Sequence, residues 1–202
     1  HTHDTSGNGI YMYGRAIEAG VDIVDIANSP LAGMTSQPSG QSLYHALEGK
    51  ERQPEMDIQA VEELSQYWQG IREYYQDFES GMIAPHSEIY EHEMPGGQYS
   101  NLQQQAKAVG LGVKWNEVKK TFRLVNDMFG DIVKVTPSSN VVGDMALFMV
   151  QNELTEEEIY ENGMKIDFPA SVIEFAEGYI GQPYQGFPER LQKVISTSMI
   201  NA

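Results

Sequence analysis

The sequence has 202 residues, enough for one large domain or one and a half smaller ones. Its 13 Lys and Arg against 29 Asp and Glu give a formal net charge of −16, and this field argues against nucleic acid as a partner. The absence of cysteine excludes disulfides, thiolate catalysis and cysteine-based zinc or iron–sulfur sites. No apolar run reaches the roughly 18 residues of a membrane span, and the polar start has no signal-peptide pattern, so we expect a cytoplasmic protein without a membrane partner.

The first forty residues combine helix and strand patterns. The stretch IYMYGRAIEAG predicts a short helix that ends at Gly20, because glycine favours the left-handed turn at a helix end. The run VDIVDIA at 21–27 is β-branched and bounded by turn residues, which predicts a buried strand. The loop NSPLAGMTSQPSG follows at the carboxyl end of this strand, where α/β folds bind their ligands.

From about residue 42 the pattern becomes helical, which predicts an α/β part followed by a helical part. Apolar residues recur at helical spacing, and Thr155 and Glu158 have the spacing of a capping box. The segment HSEIYEHEMPGGQYSN is rich in turn residues and interrupts this pattern. Helices are predicted over 56–78 (ending near Gly81), 102–109, 116–129, 138–150 and 172–180, the last preceded by Pro169 in a position suited to a first helical turn.

The opening motif HTHDTSGNG places two histidines one residue apart. On an extended strand, residues i and i+2 face the same side, so His1 and His3 would direct both imidazoles at one point. Imidazole is the commonest metal-ligating side chain, and a mononuclear metal site is one interpretation. Two others stay open: the remnant of an affinity tag, and two surface histidines without function. Two ligands do not hold a divalent ion, so the remaining ligands must come from elsewhere.

Other polar residues have ordinary structural interpretations. Thr35, in the loop GMTSQPS, is from its local sequence a cap or turn residue. The glycine pair of EMPGG is interpreted as a turn. His86 and His92 are expected at the surface or between helices rather than as ligands. The run Glu156-Glu157-Glu158 suits a solvated helix N-terminus.

Four longer stretches resemble the carboxyltransferase domain of biotin-dependent pyruvate carboxylases. They are HTHDTSGNG, GVDIVDIANSPLAGMTSQPS, EIYEHEMPGGQYSNLQQQAKAVGLG and WNEVKKTFRLVNDMFGDIVKVTPSSNVVGDMALFMV. The resemblance runs from His1 to about Val194. The carboxyltransferase subunits of oxaloacetate decarboxylase and transcarboxylase share the His-x-His and EMPGG elements, whereas the ending GYIGQPYQGFPERLQKV is closer to the pyruvate carboxylases.

The resemblance implies an α/β fold in two parts. Residues 1–41 would be the last one to two βα units of a TIM (β/α)8 barrel, with the end of strand seven and all of strand eight, and residues 42–202 a mostly helical extension. The sequence would then be a fragment of the domain. A barrel closes only with all its strands, so we expect residues 1–40 to be ordered only beside the upstream polypeptide.

The resemblance also implies roles for residues. His1 and His3 match two ligands of a divalent metal, Zn or Mn; the other ligands, an aspartate and a carboxylated lysine, match no position here, nor do the arginine and glutamine that grip pyruvate. Thr35 is matched to the threonine that relays a proton from the pyruvate methyl group to the biotin nitrogen. Candidates for the lining of the biotin pocket are Ser36, Gln37 and Ser39.

The activity that the resemblance implies is that of a ligase, which transfers carboxyl from carboxybiotin to pyruvate and gives oxaloacetate. The full-length enzyme would also bind ATP and serve anaplerosis and gluconeogenesis. Expected partners are pyruvate, the carboxybiotin carrier domain, the rest of the same enzyme and the other subunits of a homotetramer. Two alternatives remain: a carboxyltransferase subunit of a biotin-dependent oxaloacetate decarboxylase or transcarboxylase, and an inactive fragment with only an assembly role.

Overall fold

The computed structural model describes residues 1–198, with side chains described to residue 196. Their contacts form two compact units, one comprising His1–Tyr90 and one beginning at Glu91. The described residues form helices and one isolated parallel bridge, between Ala27 and Ser39. None of these helices is both long and apolar enough to cross a bilayer. The predicted boundary between the end of a TIM barrel at 1–41 and a helical extension at 42–202 stays a prediction.

The first unit has a small apolar core between its first two helices. Tyr13 and Ile17 from one helix pack with Leu43 and Leu47 from the next. The hydroxyl of Ser39 accepts a hydrogen bond from the Ser42 amide at 3.2 Å and so caps the second helix. The helices are α1 (Gly9–Glu18), α2 (Gly40–Ala46), α3 (Ile58–Arg72) and the short α4 (Ile89–His92), which crosses the unit boundary, and 3-10 turns cover Ser29–Leu31 and Glu73–Phe78.

The second unit is a helical bundle with an extensive apolar core. Its helices are α5 (Gly96–Ala108), α6 (Trp115–Met128), α7 (Ser138–Gln151), α8 (Glu156–Asn162), α9 (Ala170–Ala176) and α10 (Glu189–Ser198). Val118, Phe122, Val125 and Phe129 form one apolar face of the helix predicted at 116–129, here α6; this face is fully buried, and α6 packs mainly against α7. The strongly apolar helix α7 is buried over much of its length, and the capping box predicted from Thr155 and Glu158 is confirmed at the start of α8.

The segment at 21–27, predicted to be a buried strand, is not a strand in this structure. Ile23 is 81% exposed, and only Ala27 makes a bridge. A parallel strand needs hydrogen-bonding neighbours beside it, and the described residues form no second strand that could pair with this segment. The described residues therefore do not confirm the barrel part of the predicted fold.

The glycine pair of EMPGG, predicted to form a turn, opens α5 instead. Pro95 is the N-cap, with φ −57° and ψ 148°, and neither Gly96 nor Gly97 has a positive φ. Glycines are tolerated there because the first amides of a helix have no intrahelical partner and the preceding proline fixes the entry of the chain. The helix therefore begins six residues before the predicted start at Leu102.

Candidate metal centre

The small polar residues after the histidines form a tight turn into α1. A carboxylate oxygen of Asp4 accepts a hydrogen bond from the Gly9 amide at 2.8 Å, which satisfies a free amide of the first helical turn. The Gly7 amide donates to the Asp4 carbonyl, and Gly7 has a φ of +74°, a conformation that favours glycine. A Cβ on Gly9 would overlap Pro38, so glycine is needed there as well. The turn leaves the two histidines beside the helix entrance.

A second loop, at 33–38, lies against this histidine segment. The amide of Asp4 donates to the Ser36 carbonyl at 2.8 Å. The loop is closed by a hydrogen bond from the Gly33 amide to the Gln37 carbonyl at 2.8 Å. Gly33 and Met34 are both left-handed, with φ values of +83° and 51°. This compact turn carries Thr35 next to the histidine pair.

The two imidazole rings converge, as the i, i+2 spacing predicts. Their Nε2 atoms are 3.3 Å apart, and the ring planes are inclined at 80°. The Nδ1 atom of His1 lies 2.9 Å from a carboxylate oxygen of Asp25, and that of His3 lies 2.6 Å from the Thr35 carbonyl oxygen. Carboxylate and carbonyl oxygens only accept hydrogen bonds, so each Nδ1 carries the donated proton. In the neutral rings, both Nε2 lone pairs then face the same point.

This spacing fits two ligands of one metal ion. Two nitrogens bound to tetrahedral zinc at about 2.0–2.1 Å lie about 3.3–3.4 Å from each other, which is the observed separation. Within residues 1–198, no group of three or more His, Cys, Asp or Glu side chains is arranged to hold a metal. The described part of the chain therefore offers two suitable donors, and a complete coordination sphere needs others.

Two residues that sequence reasoning missed support the pair. Asp25 holds His1, and the hydroxyl of Tyr13 accepts a hydrogen bond from the Thr2 amide at 3.1 Å, between the two histidines. Burial raises the pKa of the Tyr13 phenol, and the negative charge of Asp25 adds to the rise in this pKa, so Tyr13 stays neutral at physiological pH. The sequence did contain a sign of a role for Asp25. It is a charged residue inside an apolar run, and the run is followed by a loop of the kind that binds ligands in α/β folds.

The structure separates the predicted site residues by what they contact. Thr35 is half-buried beside His3, and its hydroxyl makes no hydrogen bond within residues 1–198. Ser36 and Gln37 contribute main-chain hydrogen bonds to the same loop, whereas the hydroxyl of Ser39 caps α2. A biotin-lining role for these three residues stays a prediction.

His86 and His92 make hydrogen bonds that link neighbouring loops and elements. His92 is buried, and its Nδ1 accepts a hydrogen bond from the Met94 amide at 2.9 Å. The amide of His86 donates to the Thr5 carbonyl at 3.0 Å. His92 thus shapes the start of the EMPGG segment, as a buried residue between elements, and His86 joins two loops of the first unit through its main chain.

A comparison with protein-family models identifies the family of the chain. Residues 89–201, more than half of it, match the family model described as the conserved carboxylase domain. The chain belongs to this family. The chain is 71% identical over 195 residues to a pyruvate carboxylase of Bacillus subtilis and 60% identical over 195 residues to one of Staphylococcus aureus. Each alignment covers 96% of this chain and 17% of the relative, so the chain spans about a sixth of the length of these relatives.

Solved structures of pyruvate carboxylases are similar to this chain in fold as well as in sequence. The carboxyl transferase domain of Rhizobium etli pyruvate carboxylase, solved with pyruvate and biocytin, is 47% identical, with a TM-score of 0.92. The match covers 100% of this chain and 34% of the Rhizobium etli chain. The complete multifunctional pyruvate carboxylase of the same organism is 49% identical, with a TM-score of 0.88 over 96% of this chain and 18% of its own.

Proposed function

We propose that this chain works within a longer polypeptide and contributes to carboxyl transfer from carboxybiotin to pyruvate, giving oxaloacetate. The pyruvate carboxylases it resembles support the reaction, as does the Rhizobium etli domain solved with pyruvate and biocytin. The small share of the relatives' length supports the longer polypeptide. The observation that carries the proposal is the convergence of His1 and His3 beside the loop of Thr35.

In this proposal His1 and His3 hold one divalent ion, Zn or Mn, through their Nε2 atoms. A bound ion of this kind acts as a Lewis acid that polarises a carbonyl oxygen of the substrate. The protein's task is to keep both rings in the ligating orientation, which the acceptors on their Nδ1 atoms do. Further ligands come from outside the described residues.

Thr35 has two parts in the proposed mechanism. Its carbonyl oxygen orients His3, and its hydroxyl passes a proton between the pyruvate methyl group and the biotin nitrogen. A hydroxyl can donate one proton while it accepts another, but it is a poor free base, so the relay depends on placement. Its half-buried hydroxyl, without a partner in the described part of the chain, supports this role.

The test is a pair of threonine variants in the full-length protein. If Thr35 relays the proton, Thr35→Ala lowers kcat for oxaloacetate formation by about 10²-fold or more and leaves the KM for pyruvate nearly unchanged. Thr136→Ala is the comparison, because Thr136 is also a loop threonine, its side chain is exposed, and it lies among the residues that match the family model. Normal activity of Thr35→Ala together with loss in Thr136→Ala would move the relay to Thr136.

The second candidate function is that of a decarboxylase or transcarboxylase subunit, which the shared His-x-His and EMPGG elements favour. An assay separates the two: ATP-dependent synthesis of oxaloacetate from pyruvate and bicarbonate supports the carboxylase, and oxaloacetate breakdown without ATP supports the alternative. Tetramer formation, ATP binding elsewhere in the polypeptide and a cytoplasmic location stay predictions.

A further inference from the structure

The geometry points to Asp25 as a positioning residue for the metal, one that fixes the ring orientation and the tautomer of His1. This inference rests on the proposed metal site. It assigns a task to a side chain outside the histidine motif and predicts that the strength of metal binding depends on it.

The contact itself defines the tautomer. The carboxylate of Asp25 lies 2.9 Å from the Nδ1 atom of His1, and a carboxylate accepts hydrogen bonds but has no proton to donate. The imidazole proton is therefore held on Nδ1, and the lone pair remains on Nε2, the atom that faces His3 at 3.3 Å. Metal-bound histidines commonly donate their other ring N–H to a carboxylate or a main-chain carbonyl, and the two rings here have one of each.

A surface ion pair without function is the competing interpretation. The side chains of His1 and Asp25 are 55% and 58% exposed, and exposed pairs of this kind contribute little to folding stability. That interpretation does not account for the second ring. A surface ion pair alone does not explain why the free lone pair of His1 faces the imidazole of His3. It also does not explain why the Nδ1 atom of His3 is held by an acceptor of its own.

The two acceptors belong to one framework of main-chain hydrogen bonds. The Ala27 amide donates to the Pro38 carbonyl at 3.0 Å, and the Gly40 amide donates to the Ala27 carbonyl at 2.9 Å. These bonds tie the segment of Asp25 to the loop that carries Thr35. The acceptor for His3 is a carbonyl that no substitution removes, so Asp25 is the side chain through which the framework can be tested.

The same hydrogen bonds keep the rings of His1 and His3 close together although their Nε2 lone pairs repel each other. Two neutral Nε2 atoms at 3.3 Å turn lone pairs toward each other, and a cation between them relieves this repulsion. Because the acceptors fix both rings beforehand, metal binding does not have to order the His1 side chain. Loss of Asp25 should therefore weaken binding without changing the number of ligands.

The experiment measures the apparent dissociation constants for Zn²⁺ and Mn²⁺ in the full-length protein by competition with a chelator. We expect Asp25→Ala to weaken binding about 10–100-fold. Asp25→Asn should lose less, because its amide oxygen still accepts the Nδ1 proton. Asp22→Ala is the matched control: it removes an exposed carboxylate from the same segment, and metal affinity should stay unchanged.

Two further measurements separate the possible failures. The unfolding temperature of the metal-free protein should be the same in wild type and Asp25→Ala. If Asp25 had a purely structural role, the variant would unfold at a lower temperature. If His1→Ala abolishes binding while Asp25→Ala binds like wild type, or if Asp22→Ala weakens binding as much as Asp25→Ala, the positioning role is overturned and the metal site stands. If His1→Ala itself binds metal normally, the proposed metal site fails with it.

Discussion

At the scale of single residues, Tyr13 joins the core of the first unit to the histidine segment. Its ring is 4% exposed, and its hydroxyl accepts the hydrogen bond of the Thr2 amide. We expect Tyr13→Phe to cost about 1 kcal/mol in the free energy of unfolding, because a partly buried amide loses its acceptor. Urea unfolding measures this cost. Metal affinity should also fall, because Thr2 lies between the two ligands.

The matched control for Tyr13 is Tyr11 on the same helix. Tyr11 is 73% exposed and lies on the opposite side from the core, so Tyr11→Phe should leave the free energy of unfolding unchanged. Equal effects of the two substitutions would show that the Tyr13 hydroxyl does not support the histidine segment.

The residues of the candidate site differ in how far the sequence could reveal them. The convergence of His1 and His3 follows from a local rule, the alternation of side chains along an extended chain, and the structure has it although the segment is not in a sheet. The contacts of Asp25 and Tyr13 depend on how distant segments return to the pair, which no local pattern encodes. The metal-binding role itself remains a prediction.

At the scale of elements, the capping box at the start of α8 is a self-contained unit. The Thr155 hydroxyl accepts a hydrogen bond from the Glu158 amide at 3.2 Å, and the Thr155 amide donates to the Glu158 carboxylate at 2.8 Å. We expect Thr155→Ala to lower the melting temperature by about 2–4 °C at neutral pH, since the helix loses its cap. Thermal unfolding followed by circular dichroism measures this change.

The same box predicts a pH dependence. Hydrogen bonds from the Thr155 amide and hydroxyl hold the pKa of Glu158 below its ordinary value. A lowered folded pKa means that the stabilisation is present above the unfolded pKa of glutamate and is lost as the pH falls through the folded pKa. The effect of Thr155→Ala should therefore shrink in acid. An effect of the same size at acid and neutral pH would contradict the charged box. Glu157→Gln is the control: Glu157 lies beside the box but takes no part in it, so in this background the effect of Thr155→Ala should still shrink in acid.

Helices could be predicted better than the strand for a physical reason. The apolar face of α6 and the capping box of α8 involve residues three or four positions apart, so the sequence contains the whole interaction. A strand needs a partner that can lie anywhere in the chain or outside it, and 21–27 has the composition of a strand without a neighbour in the described residues. The start of α5 was missed because glycines are read as turn formers even where the first helical turn accepts them.

At the scale of the whole molecule, the first unit leaves apolar surface unburied. Ile23 and Ile26 are exposed, and the segment at 21–27 borders a cavity of about 310 Å³ lined by Ile17, Val24 and Leu43. The second unit, in contrast, buries most of its large apolar side chains. The first unit is therefore the part of the chain that depends more on neighbouring polypeptide.

Hydrogen exchange tests this difference between the units. In the 202-residue chain alone, we expect fast exchange of the amides at 21–27 and slow exchange in α6 and α7, because the segment has no strand beside it and the two helices are buried. In the full-length protein the same amides should become protected. Strong protection of 21–27 in the isolated chain would show that the first unit is complete by itself.

The most direct test of the account is anomalous diffraction from crystals of the full-length protein grown with Zn²⁺ or Mn²⁺. One metal peak is expected between the two rings, about 2.0–2.2 Å from the Nε2 atoms of both His1 and His3. Rings that bind no ion, or a metal bound elsewhere while their Nε2 atoms point apart, would contradict it.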